Sequence, residues 1–215
     1  ERESFMGIII GGSGSSGTTL LKTIVDRHPD LFSGPELSVF NKERLYLDWN
    51  RFKKKLVSSA ANFSTDGWFP YANNNLLHVD YGWKKKCLTG LISESESLMD
   101  FAEKFFENSL KRENAKIWVE KTPSNTYGFS HFLEQSSTNK VVHMLRDPYD
   151  TVASLVERDM SPYFASGLWV YNNSAGLSVS HSGGNRYYQL RYESLVSNTE
   201  NEIKQLCDFI GVEIS

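Results

Sequence analysis

The sequence predicts a three-layer α/β fold, with a central, mostly parallel sheet flanked by helices. Three observations predict it. Apolar runs of strand length recur at residues 5–10 (FMGIII), 115–119 (AKIWV) and 140–145 (KVVHML). Segments with helical apolar spacing lie between them. The first run leads directly through a glycine-rich loop into a helix, which is how a strand–helix–strand unit begins. Strands that are apolar along most of their length belong to sheets covered on both faces.

Each element follows from its local pattern. Residues 5–10 form a buried strand that ends at Gly11 and Gly12. A helix is expected over 17–28, with Leu20, Leu21, Ile24 and Val25 on one face and Pro29 beyond it; His28 should pack or cap there. Residues 31–37 read as a short second strand with a turn at Gly34-Pro35. One helix is expected near 42–59, then an irregular stretch to Tyr81. Residues 88–113 form an amphipathic helix on Leu91, Leu98, Phe101, Phe105 and Phe106. A strand at 115–119 precedes a helix at 124–135 capped by Ser124. The strand at 140–145 is followed by helices at 148–158 and 162–178. Residues 187–192 alternate in polarity like a strand, and 199–210 form a helix capped by Asn198 or Thr199 and ended by Gly211.

The 215 residues suffice for a single domain, expected over 1–215 with its C-terminal end left open. A net charge of −3 argues against duplex nucleic acid or a long polyanion as partner. Cys87 and Cys207 lie too far apart in sequence to suggest a disulfide framework, and the five histidines lack metal-ligand spacing. His143 alternates with apolar residues and is expected in the core. No apolar run reaches the roughly 18 residues of a membrane span.

The sharpest feature is Gly11-Gly12-Ser13-Gly14-Ser15-Ser16-Gly17-Thr18-Thr19. Glycines let the backbone curl so that its amides point inward. The helix that follows adds unsatisfied N–H groups and the positive end of its dipole. Ser16, Thr18 and Thr19 add hydroxyls. Such a concavity holds a phosphate or sulfate group. A nucleoside-triphosphatase loop would carry lysine where Thr18 stands, so a nucleotide kinase or hydrolase is disfavoured. A ligand with one 5′-phosphate group and no metal requirement fits better.

The string GGSGSSGTTLLKTIVDRHPDLFSGPE (residues 11–36) resembles the 5′-phosphosulfate loop of sulfotransferases that use 3′-phosphoadenosine 5′-phosphosulfate (PAPS), most closely the tyrosylprotein sulfotransferase branch and its bacterial relatives. LRDPYDTVAS (145–154) is similar to that family's 3′-phosphate segment, EKTP (120–123) to its lysine-bearing strand end, and RYESLV (191–196) to a later segment. These matches cover about half the chain in family order. They imply a P-loop-like fold, PAPS as co-substrate, its desulfated product adenosine 3′,5′-bisphosphate (PAP) and no metal. They also imply a small-molecule, glycan or peptide-tyrosine acceptor. The resemblance assigns donor binding to Gly14, Ser15, Ser16, Gly17, Thr18, Thr19, Arg146, Ser154 and Tyr192. It makes Glu36 the general base and Lys121 the stabiliser of the group in transit.

Physical chemistry bears on each role. Arg146 offers a bidentate fork at a strand end, with Ser154 two turns along the next helix. The alternative is a salt bridge to Asp147 or Asp150. Glu36 follows Gly34-Pro35 at the sheet edge where α/β folds place ligands; its alternative is a structural ion pair. Lys121 is expected at that same edge, its alternative a pair with Glu120 or Glu36. Ser15 departs from the family, which carries lysine or arginine there, so a catalytically weak or inactive PAP-binding module stays open. Trp49, Trp68, Tyr71, Trp169 and Tyr171 are candidates for the acceptor platform. Asn62 and Asn172 head glycosylation sequons. A cytoplasmic location is expected, with the Golgi lumen as the alternative.

Overall fold

The computed structural model describes residues 6–62 and 80–214. Among these, five strands form one sheet in the order β2-β3-β1-β4-β5, and every neighbouring pair is parallel. The strands are β1 (Gly7–Gly12), β2 (Leu31–Phe32), β3 (Ile117–Lys121), β4 (Lys140–Leu145) and β5 (Tyr187–Arg191). The helices are α1 (Thr18–Val25), α2 (Glu43–Leu47), α3 (Trp49–Asn62), α4 (Lys85–Glu94), α5 (Leu98–Glu113), α6 (Phe129–Gln135), α7 (Pro148–Val156), α8 (Pro162–Leu177), α9 (Ser180–Gly183), α10 (Tyr192–Ser197) and α11 (Thr199–Ile210). The predicted α/β class and the parallel sheet are both present.

Side chains alternate across β1, so Ile9 enters one apolar layer while Ile8 and Ile10 enter the other. The first layer packs α5 and α6 on the sheet. Its centre is Trp118, whose ring stacks on Phe106 at 4.5 Å and on Phe40 at 5.3 Å. The second layer packs α1 and α11 against Val119, Val142 and Met144. Fully burying each such aromatic or aliphatic side chain contributes about 1.5–3 kcal/mol.

Several boundaries differ from the sequence reading, each for a physical reason. The expected helix at 42–59 breaks at Asp48, which leaves helical geometry (φ −148°) and accepts the Arg51 N–H at 3.1 Å. The expected helix at 88–113 breaks at 95–97. There Ser95 is extended, its carbonyl taken by Trp49 Nε1 and Lys53 Nζ, and Ser97 caps α5 through the Asp100 N–H. Only Leu31–Phe32 of the second strand pairs with β3; Pro35 has no N–H, and the amides beyond it go to side chains. Residues 123–128 form a 3-10 turn before α6, and Ser124 accepts from Asn41 instead of capping a helix. Residues 192–197 are a short helix that alternation concealed. In α1 the buried residues are Thr18, Leu21 and Val25, and Leu20 is exposed. His28 does hold its turn, accepting the Asp30 N–H while its Nε2 meets the Glu213 carbonyl. Gly211 ends α11 in a left-handed conformation (φ 93°), as expected.

His143 sits fully buried on β4, as expected. Its Nδ1 accepts from the Tyr187 hydroxyl at 2.7 Å, and its Nε2 donates to Asn173 Oδ1 at 3.1 Å. That assignment follows because Asn173 Nδ2 is already donating to the Trp169 carbonyl. A Cβ at Gly176 would lie 2.6 Å from the ring, so only glycine lets α8 approach. Burial pushes the imidazole down from 6.5 to about 4, opposed in part by the Asn173 hydrogen bond. The unfolded ring thus binds its proton at higher pH than the folded one. Stability is full above pH 6.5 and falls as pH drops through 6.5 toward 4, by ~3 kcal/mol for this group. Urea titrations at pH 7.5, 6 and 4.5 should show that slope in the wild type and a shallower one in His143→Gln. Equal slopes would remove His143 as the cause.

Candidate active site

Because all five strands run the same way, the segments leaving their C-terminal ends gather along one edge of the sheet. The loop after β1 is central, between the exits of β3 and β4. Gly12 ends β1 where a Cβ would lie 2.4 Å from the Met144 carbonyl. Within the loop, the Ser16 N–H and hydroxyl both donate to the Ser13 carbonyl, at 3.2 and 2.6 Å, and close the turn. Ser16 therefore acts inside the loop, its side chain turned from the cleft. Ser15 (φ 62°) and Gly17 (φ 91°) adopt left-handed backbone, the conformation from which anion-binding backbone turns are built. Gly17 starts α1 with no side-chain cap, and first-turn amides have no intrahelical partner.

A cleft of about 350 Å³ opens against this loop. Gly14, Ser15, Gly17, Thr18, Thr19, Glu36, Arg146, Ser154 and Tyr192 line it, together with three residues the sequence reading did not single out, Leu20, Pro123 and Arg158. Arg158 had a legible signal: it lies four residues after Ser154, one helical turn on. The sequence-derived candidates therefore converge, although the chain separates them by up to 178 positions (192 − 14).

Arg146 leaves β4 into this cleft. Its Nη1 donates to the Ser15 carbonyl at 2.9 Å and its guanidinium lies 4.6 Å from the centre of the Tyr192 ring. Its Nε is buried with no hydrogen-bond partner among the described residues. Asp150 stands 3.9 Å from Nη2, a long contact on a mostly exposed carboxylate. The salt bridge considered as the alternative role is thus weak, while loop and ring fix the arginine's direction. Asp147 caps α7 through the Tyr149 and Asp150 amides, and its own N–H donates to Glu193. Trp169 Nε1 donates to the Arg146 carbonyl. Glu193 and Trp169 together hold the turn that carries the arginine.

Lys121 ends β3 with its side chain only 6% exposed. Its Nζ donates to Thr19 Oγ1 at 3.2 Å and to the Glu36 carboxylate. The two residues expected to do chemistry thus touch each other. Glu36 is 46% exposed on its own loop, facing the cleft. That loop is fixed on both sides. The buried Tyr81 hydroxyl donates to the Pro35 carbonyl, while the Leu37 and Ser38 amides donate to Glu120 and Thr122. Ser15 brings no cation to the site.

The acceptor candidates separate. Trp49 is buried in the core against Phe101, a correction to its proposed place on the acceptor surface. Tyr171 is 65% exposed and packs on Tyr127. Trp68 and Tyr71 lie outside the described residues. Asn172 is buried within α8 and donates to the Leu168 carbonyl, so its sequon offers no accessible acceptor. No group of metal-ligating side chains forms among the described residues, and none of their helices is long and apolar enough to cross a membrane.

Comparison with known proteins places this geometry. The model of the "Sulfotransferase family" matches residues 7–215. The sulfotransferase domain of the Synechococcus PCC 7002 olefin synthase superposes with a TM-score of 0.64 at 22% identity, over 98% of this chain and 74% of that one. The sulfotransferase domain from the curacin biosynthetic pathway gives 0.65 at 22% identity, over 100% and 76%. A sulfotransferase of Mycobacterium tuberculosis gives 0.58 at 14% identity, over 98% and 68%. At such identities these likenesses bear on the fold alone. No curated protein matches the sequence. The family match over nearly the whole chain, on a fold shared with solved sulfotransferases, makes this chain a member of the sulfotransferase family.

Proposed function

We propose that this sulfotransferase moves a sulfuryl group from PAPS to a hydroxyl or amine acceptor by in-line displacement. One observation carries the reading furthest. The Gly-rich loop, Arg146 and Glu36 line one cleft, and Lys121 behind it is bonded to both Thr19 of the loop and Glu36.

The residues fit the donor. Gly14, Ser15, Gly17, Thr18 and Thr19 line a concavity at a helix N-terminus, which suits a 5′-phosphosulfate. The Arg146 guanidinium and the Ser154 hydroxyl suit the 3′-phosphate, and Arg158 adds a second cation to the same cleft. When bound, the donor supplies an activated sulfuryl group on a good leaving phosphate. Lys121 is placed to offset the charge that develops between sulfur and the leaving oxygen. Glu36 is placed to take the acceptor's proton as the new bond to sulfur forms. Its ion pair with Lys121 fixes the carboxylate at the cleft. Acceptor size and class follow from surfaces around Glu36, where a small molecule, a glycan or a peptide tyrosine each present the needed hydroxyl.

A second reading has its own support. Ser15 lacks the charge its family carries, so the chain would bind PAP and turn over slowly or not at all. A sulfur-35 transfer screen over phenols, glycans and tyrosine peptides separates the two. Turnover supports the enzyme, and tight PAP binding without turnover supports the binder.

Arg146→Ala should weaken PAP binding by ~10-fold or more in metal-free calorimetry, the loss expected when a charge-assisted contact is removed. Unchanged affinity would take Arg146 out of the donor site. Glu36→Gln should leave PAP binding within about threefold while lowering kcat by roughly 10²–10⁴, the range of general-base catalysis. Equal loss in both quantities would make Glu36 a structural residue.

A further inference from the structure

We propose that Glu120 is a positioning residue, a buried carboxylate that braces the Glu36 loop against the sheet so that the base is aimed at the cleft. The inference rests on the function proposed above. No part of the reaction as described uses Glu120.

Glu120 sits on β3 directly before Lys121, on the opposite face of the sheet, and is completely buried. Acidic side chains are almost never fully buried unless their oxygens are satisfied. Three donors meet it. The Leu37 N–H reaches Oε1 at 2.8 Å, the Thr122 hydroxyl reaches Oε1 at 2.6 Å, and Asn125 Nδ2 reaches Oε2 at 2.6 Å. Asn125 Nδ2 also lies 3.1 Å from the Ile10 carbonyl of β1. One side chain therefore ties together the Glu36 loop, the segment after Lys121 and the strand that feeds the Gly-rich loop.

The attachment is local to the base. Leu37 is the next residue after Glu36, and the Ser38 N–H donates to Thr122 Oγ1 at 3.2 Å. Ser38 holds a left-handed backbone (φ 53°), a conformation that persists only where neighbours enforce it. Past Phe32 this loop pairs with no strand, so side chains replace the sheet ladder as its anchor. Buried polar groups whose partners are complete rigidify what they touch. Burial raises the Glu120 carboxyl and the charge of Glu36 adds to this, while the three hydrogen bonds favour the anion. The net cost of an ionisable group at this site is a reason to expect a role that an apolar residue could not fill.

The test compares Glu120→Ala, the milder Thr122→Val and Glu120→Gln. The glutamine keeps an oxygen for Leu37 and Thr122, the two bonds that hold the loop, and gives up only the bond to Asn125, whose Nδ2 stays on the Ile10 carbonyl. Hydrogen exchange read by mass spectrometry on peptides covering 33–40 should speed up at least tenfold in Glu120→Ala and Thr122→Val, as local opening does when an anchor is lost. Exchange in peptides covering 140–156 should not change. With PAPS and 4-nitrophenol, both variants should lose about a hundredfold in kcat, the cost of misplacing a catalytic group by about 1 Å, with PAP affinity within about threefold. Glu120→Gln should recover most of that loss. In the Glu36→Gln background, Glu120→Ala should add less than about threefold, because it acts through the base. Unchanged exchange at 33–40 overturns the proposal, as does PAP affinity falling in step with kcat, or a full loss persisting without Glu36. If the wild type moves no sulfuryl group to 4-nitrophenol or to any phenol, glycan or tyrosine peptide of the transfer screen, the functional reading falls, and the exchange arm still decides whether Glu120 holds the loop.

Discussion

Everything at the candidate site depends on β1 being the middle strand of a fully parallel sheet. β1 lies between β3 and β4, with Ile10 opposite Lys121 on one side and Gly12 opposite Met144 on the other. A parallel register fixes where each neighbouring strand ends relative to the Gly-rich loop. Lys121 and Arg146 are therefore delivered to opposite flanks of that loop by backbone hydrogen bonds, before any side chain makes a contact. The apolar layers on both faces hold this register, because a one-residue slip would turn Ile8 and Ile10 toward the layer of Ile9.

The same geometry explains how charge is arranged. The chain carries a modest net negative charge, yet Arg146, Arg158, Lys121 and the amide-rich loop share one edge. Arg146 is steered by the Ser15 carbonyl and the Tyr192 face more than by an acid, which keeps its positive charge uncancelled. Lys121 is the opposite case, paired with Glu36 and nearly buried. Removing one partner of such a pair leaves a charge with poor solvation, so the two residues constrain each other. The loop carrying Glu36 has little regular pairing and is held instead by Tyr81 on one side and by Glu120 and Thr122 on the other.

Much of the fold was legible because its signals were local. The limits of β4 and α11 coincide with the sequence reading, since an apolar run and a glycine stop are short-range features. Long amphipathic patterns were less reliable at their ends. The break at 95–97 is fixed by bonds from another helix, Trp49 and Lys53 to the Ser95 carbonyl, which no window of sequence contains, whereas the break at Asp48 is local, its carboxylate accepting the Arg51 N–H. The second strand ends early for a similar reason, because the Leu37 and Ser38 amides meet Glu120 and Thr122 from 83 and 84 positions away. Trp49 read as an acceptor platform and proved to be core, since composition does not tell an exposed ring from a buried one.

The sequence by itself determined the α/β class, the tight Gly-rich turn between β1 and α1 and the family, because glycine-rich turns, strand and helix periodicity and ordered motifs are written in adjacent residues. It also supplied nine of the twelve residues that line the cleft. Only the tertiary structure decided that Ser16 turns inward, that Lys121 and Glu36 form one pair, that Arg158 joins the cleft and that Glu120 anchors the Glu36 loop. Those outcomes depend on which strand ends lie side by side and which donors reach a buried oxygen. Both are set by sheet order and packing, which bring together residues that the chain keeps far apart.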